Sequence, residues 1–314
     1  MPLPQLSDAT FITDGGMETT LIFHGGLDLL HFASFVLLDD EEGVRALREY
    51  FLPYVEIARE AGVGIVLDTP TWRANPDWGE RLGYTAEALA DINRRGVRLL
   101  ERLREEAGNR RQIVICGCVG PRGDGYQVGE TMTAEEAERY HSAQVEVFAE
   151  TAADLVSALT MTYAEEASGI VRAARGAGIP AAVSFTVETD GRLPSGQPLA
   201  EAIEQVDEET DGAAAYFMVN CAHPTHFAHV LEPGSPPLER IRGLRANAST
   251  MSHAELDEAE ELDEGNPVDL ARRYRELRRK LPNLNVVGGC CGTDHRHIRE
   301  ICRVWSAGVT RSVG

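Results

Sequence analysis

Short apolar runs rich in β-branched residues recur along the chain, each followed by a polar turn and then by a helical stretch. The runs at 10–13, 64–68, 112–118, 154–160, 181–186, 215–220, 240–246 and 285–289 read as eight strands. Between and after them, 43–61, 85–107, 134–151, 165–176, 199–204, 269–280 and 295–307 read as helices. Apolar residues at three- and four-residue spacing mark their inner faces, as Ile57, Ala58 and Ala61 do in the first. Strands alternating with helices, with no linker-like break and no glycine fingerprint of the dinucleotide type, predict an α/β chain: a single (β/α)8 TIM barrel forming one domain over residues 1–314.

That fold class directs attention to the carboxyl ends of the strands, where such barrels gather their chemistry. Asp14-Gly15-Gly16 follows the first expected strand, Val119-Gly120-Pro121 the third, Cys221 the sixth, and Cys290-Cys291 the eighth. Residues far apart in the chain are thus expected to face one another across one mouth.

Composition narrows the function classes. Hydrophobic residues make up 43% of the chain and charged residues 25%, ordinary values for a globular protein, and no apolar stretch reaches the ~18 to 20 residues of a membrane helix. The segment Met1-Pro2-Leu3-Pro4-Gln5 lacks the basic and apolar blocks of a secretory signal, and six cysteines are too few for a disulfide scaffold, so a reducing cytoplasm is the expected setting. The formal charge of −20 opposes binding to nucleic acid or anionic lipid. Seven acids crowd into residues 255–264, a run that reads as a solvated loop or helix face. Nothing in the pattern fixes an oligomeric state.

The cysteines carry the most specific signal. Cys290 and Cys291 are flanked by Gly288, Gly289 and Gly292, which let the backbone turn both sulfurs inward. Adjacent cysteines bridge poorly to each other. With Cys221 they compose a three-thiolate set suited to zinc, and three protein ligands with one open position is the pattern of a catalytic site. Two buried apolar thiols are the bland alternative for the pair, and Cys221 by itself reads equally as ligand or core thiol. Thr293 or Asp294 is placed to cap a helix starting near His295, whose amides favour nearby thiolates. Cys116 and Cys118 share one side of their strand and read as core, with Cys118 nearest the mouth as a spare fourth ligand. Cys302 reads as core. His223, His226 and His229 follow Cys221 at three-residue spacing, which fits a helix face as well as a ligand set.

Taken together, Asp14-Gly15-Gly16-Met17-Glu18, Cys118-Val119-Gly120-Pro121 with Gly123-Asp124-Gly125-Tyr126, Val183-Ser184-Phe185-Thr186-Val187, Val219-Asn220-Cys221 and Gly288-Gly289-Cys290-Cys291-Gly292 resemble the homocysteine S-methyltransferase family, in the family's order from residue 11 to about 305. The resemblance implies a zinc ion on Cys221, Cys290 and Cys291, a small-molecule thiol acceptor, with homocysteine the first to test, and a methyl donor of sulfonium or related onium type. It assigns Asp14 and the amides of Gly15 and Gly16 to the amino-acid end of the acceptor, where a tight Asp-Gly-Gly turn is the plainer reading. Ser184, Thr186 and Asn220 are expected to line the mouth and steady the cysteine loops.

Two departures from the family pattern bear on the substrate. Family members carry a glutamate at the end of strand four where this chain has Leu159 in Ser157-Ala158-Leu159-Thr160, and Leu159 cannot pair with an ammonium. Trp72 and Arg73 replace a Tyr-Gln pair, adding an aromatic face for a methyl cation and a fixed charge that can grip a carboxylate. These changes keep two other readings open: a methyltransferase for a different thiol, and a zinc-bearing binding or redox-sensing barrel without transfer activity. A Schiff-base lyase is disfavoured, because the only lysine, Lys280, falls in a late helix.

Overall fold

Eight parallel strands close into a barrel in chain order, in the computed structural model, which describes residues 3–108 and 112–306. They are β1 (Phe11–Ile12), β2 (Gly64–Asp68), β3 (Ile113–Val119), β4 (Leu155–Met161), β5 (Ala181–Phe185), β6 (Ala214–Asn220), β7 (Ile241–Ala246) and β8 (Val286–Gly289). Phe11 lies opposite Gly64 on one side and Val286 on the other, which closes the ring. Seven long helices pack outside: α1 (Glu41–Ala61), α2 (Ala86–Glu106), α3 (Ala134–Ala149), α4 (Ala164–Ala177), α5 (Leu199–Thr210), α6 (Pro267–Leu277) and α7 (His295–Ser306). The β6–β7 connection carries only the short helices Pro224–Phe227 and Pro236–Glu239. None of the helices among the described residues is long and apolar enough to cross a membrane.

Alternation along each strand divides the core in two. Inward residues such as Val66, Val114, Cys116, Cys118, Leu155 and Tyr216 fill the barrel. Outward residues such as Ile65, Ile115, Val156 and Phe217 join the larger layer beneath the helices. Helix α1 turns Leu47, Tyr50, Phe51, Tyr54 and Ile57 inward at helical spacing, each large side chain contributing roughly 1.5–3 kcal/mol when fully buried. Its start is fixed by Asp40, whose side chain accepts from the Gly43 amide, and its end by Gly62 in the left-handed conformation at φ 66°. A reciprocal cap of Thr133 and Glu136 starts α3.

Boundaries depart from expectation where polar residues hide a buried face. Helix α5 continues six residues beyond 204, through Asp207 to Glu209, because Val206 and Thr210 keep its inner stripe buried. The first strand narrows to two residues, although Thr10 and Thr13 still join the ladder through Gly64 N to Thr10 O and Thr13 N to Val287 O, both 3.0 Å. Residue 307, the last of the helix expected at 295–307, lies outside the described residues.

Candidate active site

The carboxyl end of the barrel holds a cleft of about 480 Å³, within the range of small-molecule sites. Cys221, Cys290 and Cys291 lie at its floor, their sulfurs all within 4.8 Å of one another. Cys221 and Cys291 sulfurs are 4.0 Å apart. Strand β6 delivers Cys221 in the left-handed conformation, φ 53°, and the turn between β8 and α7 delivers the pair. That turn is tightly held: Cys290 N donates to Ala246 O at 2.9 Å, Ala248 N to Cys291 O at 3.0 Å, and Thr293 Oγ1 to Cys290 O at 2.7 Å. A Cβ on Gly16 would come within 2.6 Å of the Cys290 carbonyl, and Gly292 sits at φ 77°, so both positions favour glycine.

The three thiols share charge unequally. Hydrogen bonds from Cys221 and Cys291, and the nearby Arg245 guanidinium, hold Cys290 well below the usual thiol range against its burial. Hydrogen bonding to its two neighbours, with burial added, pushes Cys221 well up. Tyr126 adds its hydroxyl, 3.6 Å from the Cys291 sulfur, while its ring stacks on His253 at 4.0 Å and an interplanar angle of 9°. His253 Nε2 in turn stands 2.8 Å from the Cys221 carbonyl.

Asn220 is the hub beside the cysteines. Its Oδ1 accepts from Thr160 N at 3.0 Å and Ser184 Oγ at 2.6 Å, and its Nδ2 donates to Thr160 Oγ1 at 2.8 Å with the Cys290 sulfur 3.9 Å away. Those bonds hold Thr160 at φ 65°, a strained conformation for a β-branched residue. Asn220 lines the cleft, whereas Ser184 stands behind it and Thr186 meets His253 at 3.4 Å.

Asp14 lines the cleft but has partners within the protein. Its Oδ1 accepts from Arg245 at 2.5 Å and its Oδ2 from Tyr50 at 2.9 Å. Arg245 also pairs with Asp68, whose other oxygen accepts from Ser157 at 2.9 Å. Burial raises the Asp14 carboxyl to about 7, opposed by Arg245 and supported by Asp68. The expected amide cradle is engaged in part: Gly16 N donates to Thr293 O at 2.9 Å, and the Gly15 carbonyl accepts from the Tyr50 hydroxyl at 3.0 Å. Trp72 and Arg73 both line the cleft; Trp72 Nε1 donates to Leu159 O at 3.2 Å, and the Arg73 guanidinium lies between the indoles of Trp72 and Trp78. Leu159 is buried in the barrel-interior cluster.

Several expectations are corrected. Cys118 packs in the barrel interior and lines the cleft, with its thiol pushed well up by burial, and it stands outside the three-sulfur group. His223 caps the short helix Pro224–Phe227 and His226 lies within it, where they meet Thr225 and the Thr250 carbonyl rather than the sulfurs. The acidic run does more than face solvent, since Leu256, Asp257, Leu262 and Asp263 border the cleft. Glu18, Arg245 and His253 were given no role by pattern reading. Glu18 and Tyr126 lie inside motifs that carried the resemblance, which was the available signal for them.

A family model of homocysteine S-methyltransferases matches residues 11–305. Homocysteine S-methyltransferase 4 of Zea mays is 25% identical over 93% of this chain and 88% of its own length. Betaine-homocysteine S-methyltransferase 1 of Rattus norvegicus is 26% identical over 92% of this chain and 70% of its own. Among solved structures, the metallated form of the homocysteine methyltransferase MmuM from Escherichia coli gives a TM-score of 0.71 at 19% identity, over 95% of this chain and 96% of that one. The likeness to that structure is one of fold.

Proposed function

The chain belongs to the homocysteine S-methyltransferase family and is a thiol methyltransferase, and we propose that Cys221, Cys290 and Cys291 hold zinc while homocysteine takes a methyl group from a sulfonium or related onium donor to give methionine. S-methylmethionine, S-adenosylmethionine and a betaine are the donors to compare. The observation that carries this reading is the convergence of three sulfurs, from two strand ends, within 4.8 Å of one another. Three thiolates so close repel one another, so soft donors at this spacing suit a divalent cation that accepts them all.

Bound there, zinc would lower the pKa of an acceptor thiol while three anionic ligands leave that sulfur electron-rich. The chain's own residues supply position. Asn220 ties the end of β4 to the cysteine turn, so the sulfurs are set by a hydrogen-bonded frame rather than by loop chance. Trp72 presents an aromatic face to the onium methyl. In the transfer a bond forms from the acceptor sulfur to the methyl carbon as the donor's C–S or C–N bond breaks. The bonding pair leaves on the donor heteroatom, which loses its positive charge, so no general base enters that step. Holding two small molecules in line supplies most of the protein's contribution.

The test measures metal content, fold and turnover together. Wild-type protein is expected to carry about one zinc per chain and to form methionine from homocysteine with at least one of the three donors, read by mass spectrometry. Cys290→Ser and Cys291→Ser should lose both metal and turnover while their circular dichroism stays that of the wild type. Metal at full stoichiometry in both variants refutes the ligand assignment.

A further inference from the structure

Charged side chains beside the sulfurs differ in how fully the protein engages them, apart from the acids Asp257, Glu261 and Asp263 that border the cleft. Asp14, Asp68 and Arg245 form a closed set in which every carboxylate oxygen has a protein donor: Arg245 and Tyr50 for Asp14, Arg245 and Ser157 for Asp68. A ligand's ammonium meeting Asp14 would have to compete with a buried guanidinium already in place.

Glu18 stands apart from that set. It follows β1 in the turn Met17–Thr19 and lines the same cleft. One oxygen accepts from Ser34 Oγ at 2.7 Å. Among the described residues no cation forms an ion pair with it within 4.0 Å, and Arg245 and Arg73 act on it only from farther off. Burial raises its carboxyl, and the next residue, Thr19, accepts from Gly292 N at 3.1 Å, which sets the turn beside the cysteine pair that lines the same cleft. A half-buried carboxylate without a cationic partner is costly to hold, a cost that a cation arriving with the ligand would offset.

Arg73 is its counterpart. The side chain is 6% exposed, with the guanidinium 4.0 Å from the Trp72 ring and 3.9 Å from the Trp78 ring. Nη1 donates to the Gly123 carbonyl at 2.8 Å, Nε has no partner, and the nearest carboxylate, Asp124, is 3.8 Å away and half-exposed. Stacking on both faces fixes the plane and leaves the edge to select a carboxylate.

We infer that Glu18 and Arg73 are the two ends of a zwitterion site, Glu18 receiving the ammonium and Arg73 the carboxylate of the amino acid whose sulfur reaches Cys221, Cys290 and Cys291. The inference rests on the thiol-acceptor reading above and names the residues that select its substrate. Both are specificity-determining residues, and Asp14 is a structural one.

Three thiols separate the ends: homocysteine, 4-mercaptobutyrate, which lacks the amine, and 3-mercaptopropylamine, which lacks the carboxylate. Binding to zinc-loaded protein is measured by calorimetry, with S-methylmethionine as a donor arm. Wild type should prefer homocysteine over each analogue by about tenfold to a hundredfold, the range of one charged hydrogen bond. In Glu18→Gln the preference over 4-mercaptobutyrate should collapse toward unity while the preference over 3-mercaptopropylamine stays. Arg73→Met should do the reverse. Asp14→Asn should leave both ratios in place. The inference is overturned if Glu18→Gln weakens homocysteine and 4-mercaptobutyrate equally, if Asp14→Asn is the variant that erases the amine preference, or if the loss in either cleft variant is confined to S-methylmethionine. A wild type that binds none of the three thiols overturns the inference together with the acceptor reading, a result distinct from binding with unchanged ratios. Ratios within one protein cancel a general loss of fold, so a destabilised variant still decides the matter.

Discussion

Replacing Arg245 by methionine is the sharpest test of how the barrel mouth is built. The guanidinium is buried and spans three elements, donating to Asp14 after β1, to Asp68 at the end of β2 and to the Gly289 carbonyl of β8. Removing one partner from a buried ion pair costs about 3–5 kcal/mol, because the remaining charge is left uncompensated. Here two carboxylates lose a shared cation, and only Tyr50 and Ser157 remain as donors to them. We therefore expect Arg245→Met to lose about 3–5 kcal/mol at pH 7, measured as a shift of the urea midpoint at constant slope.

The sign of the pH dependence is fixed by Asp14. Its folded-state carboxyl is raised from 3.8 to about 7, so its contribution to stability is fully present below 3.8 and is lost as pH climbs through about 7. Arg245 is the main influence opposing that rise. Without it the window extends upward, and the gap between variant and wild type should widen from pH 6 to pH 8.5 by up to ~1.4 kcal/mol per pH unit. Adding Asp14→Asn and Asp68→Asn to the variant should restore most of the loss and flatten the slope. A loss below about 1 kcal/mol, the scale of exposed pairs, or one that ignores pH over that interval, would refute the argument.

Two further substitutions test neighbouring parts of the site. Asn220→Ala strands the Thr160 amide and the Ser184 hydroxyl and releases the strained Thr160 backbone. It should cost about 2–4 kcal/mol in thermal or urea unfolding and speed zinc loss to a chelator; wild-type values in both assays would count against Asn220 as the frame. Leu159→Glu puts a carboxylate where an apolar side chain now packs in the barrel interior. It should cost about 2–4 kcal/mol in stability and lower the Michaelis constant for homocysteine, and a constant that stays the same or rises would mean that Leu159 is not what distinguishes this acceptor site.

The barrel was legible because its signal is local: strand and helix periods differ, and their alternation along the chain permits few arrangements. The sulfur cluster was legible for a related reason, since ends of parallel strands in a closed barrel share one rim, so Cys221 and the Cys290-Cys291 pair had to be near neighbours of one opening. Charge pairing across the barrel obeys no such rule. Arg245 sits in a strand that reads as apolar, and its carboxylates lie 231 and 177 residues away along the chain; alternation turns it inward, but only closure of β8 against β1 decides that Asp14 meets it. Helix α5 shows the same limit on a smaller scale, its acidic stretch reading as an end although one face stays buried.

The same distinction separates the chemistry from the selectivity. A net charge of −20 says little about the cleft, whereas the closed set there carries two carboxylates against one guanidinium, a formal −1 that the raised carboxyl of Asp14 can cancel with a proton near neutral pH. Once that set is closed, the mouth presents to a ligand the Glu18 carboxylate, the Arg73 guanidinium and three sulfurs, with the acids Asp257, Glu261 and Asp263 along its border. On the proposed function the sulfurs determine which reaction the barrel performs. On the inference drawn above, which thiol enters is decided by Glu18, held by Ser34, and Arg73, held by Gly123 and facing Asp124, contacts across the barrel mouth that no pattern along the sequence supplies.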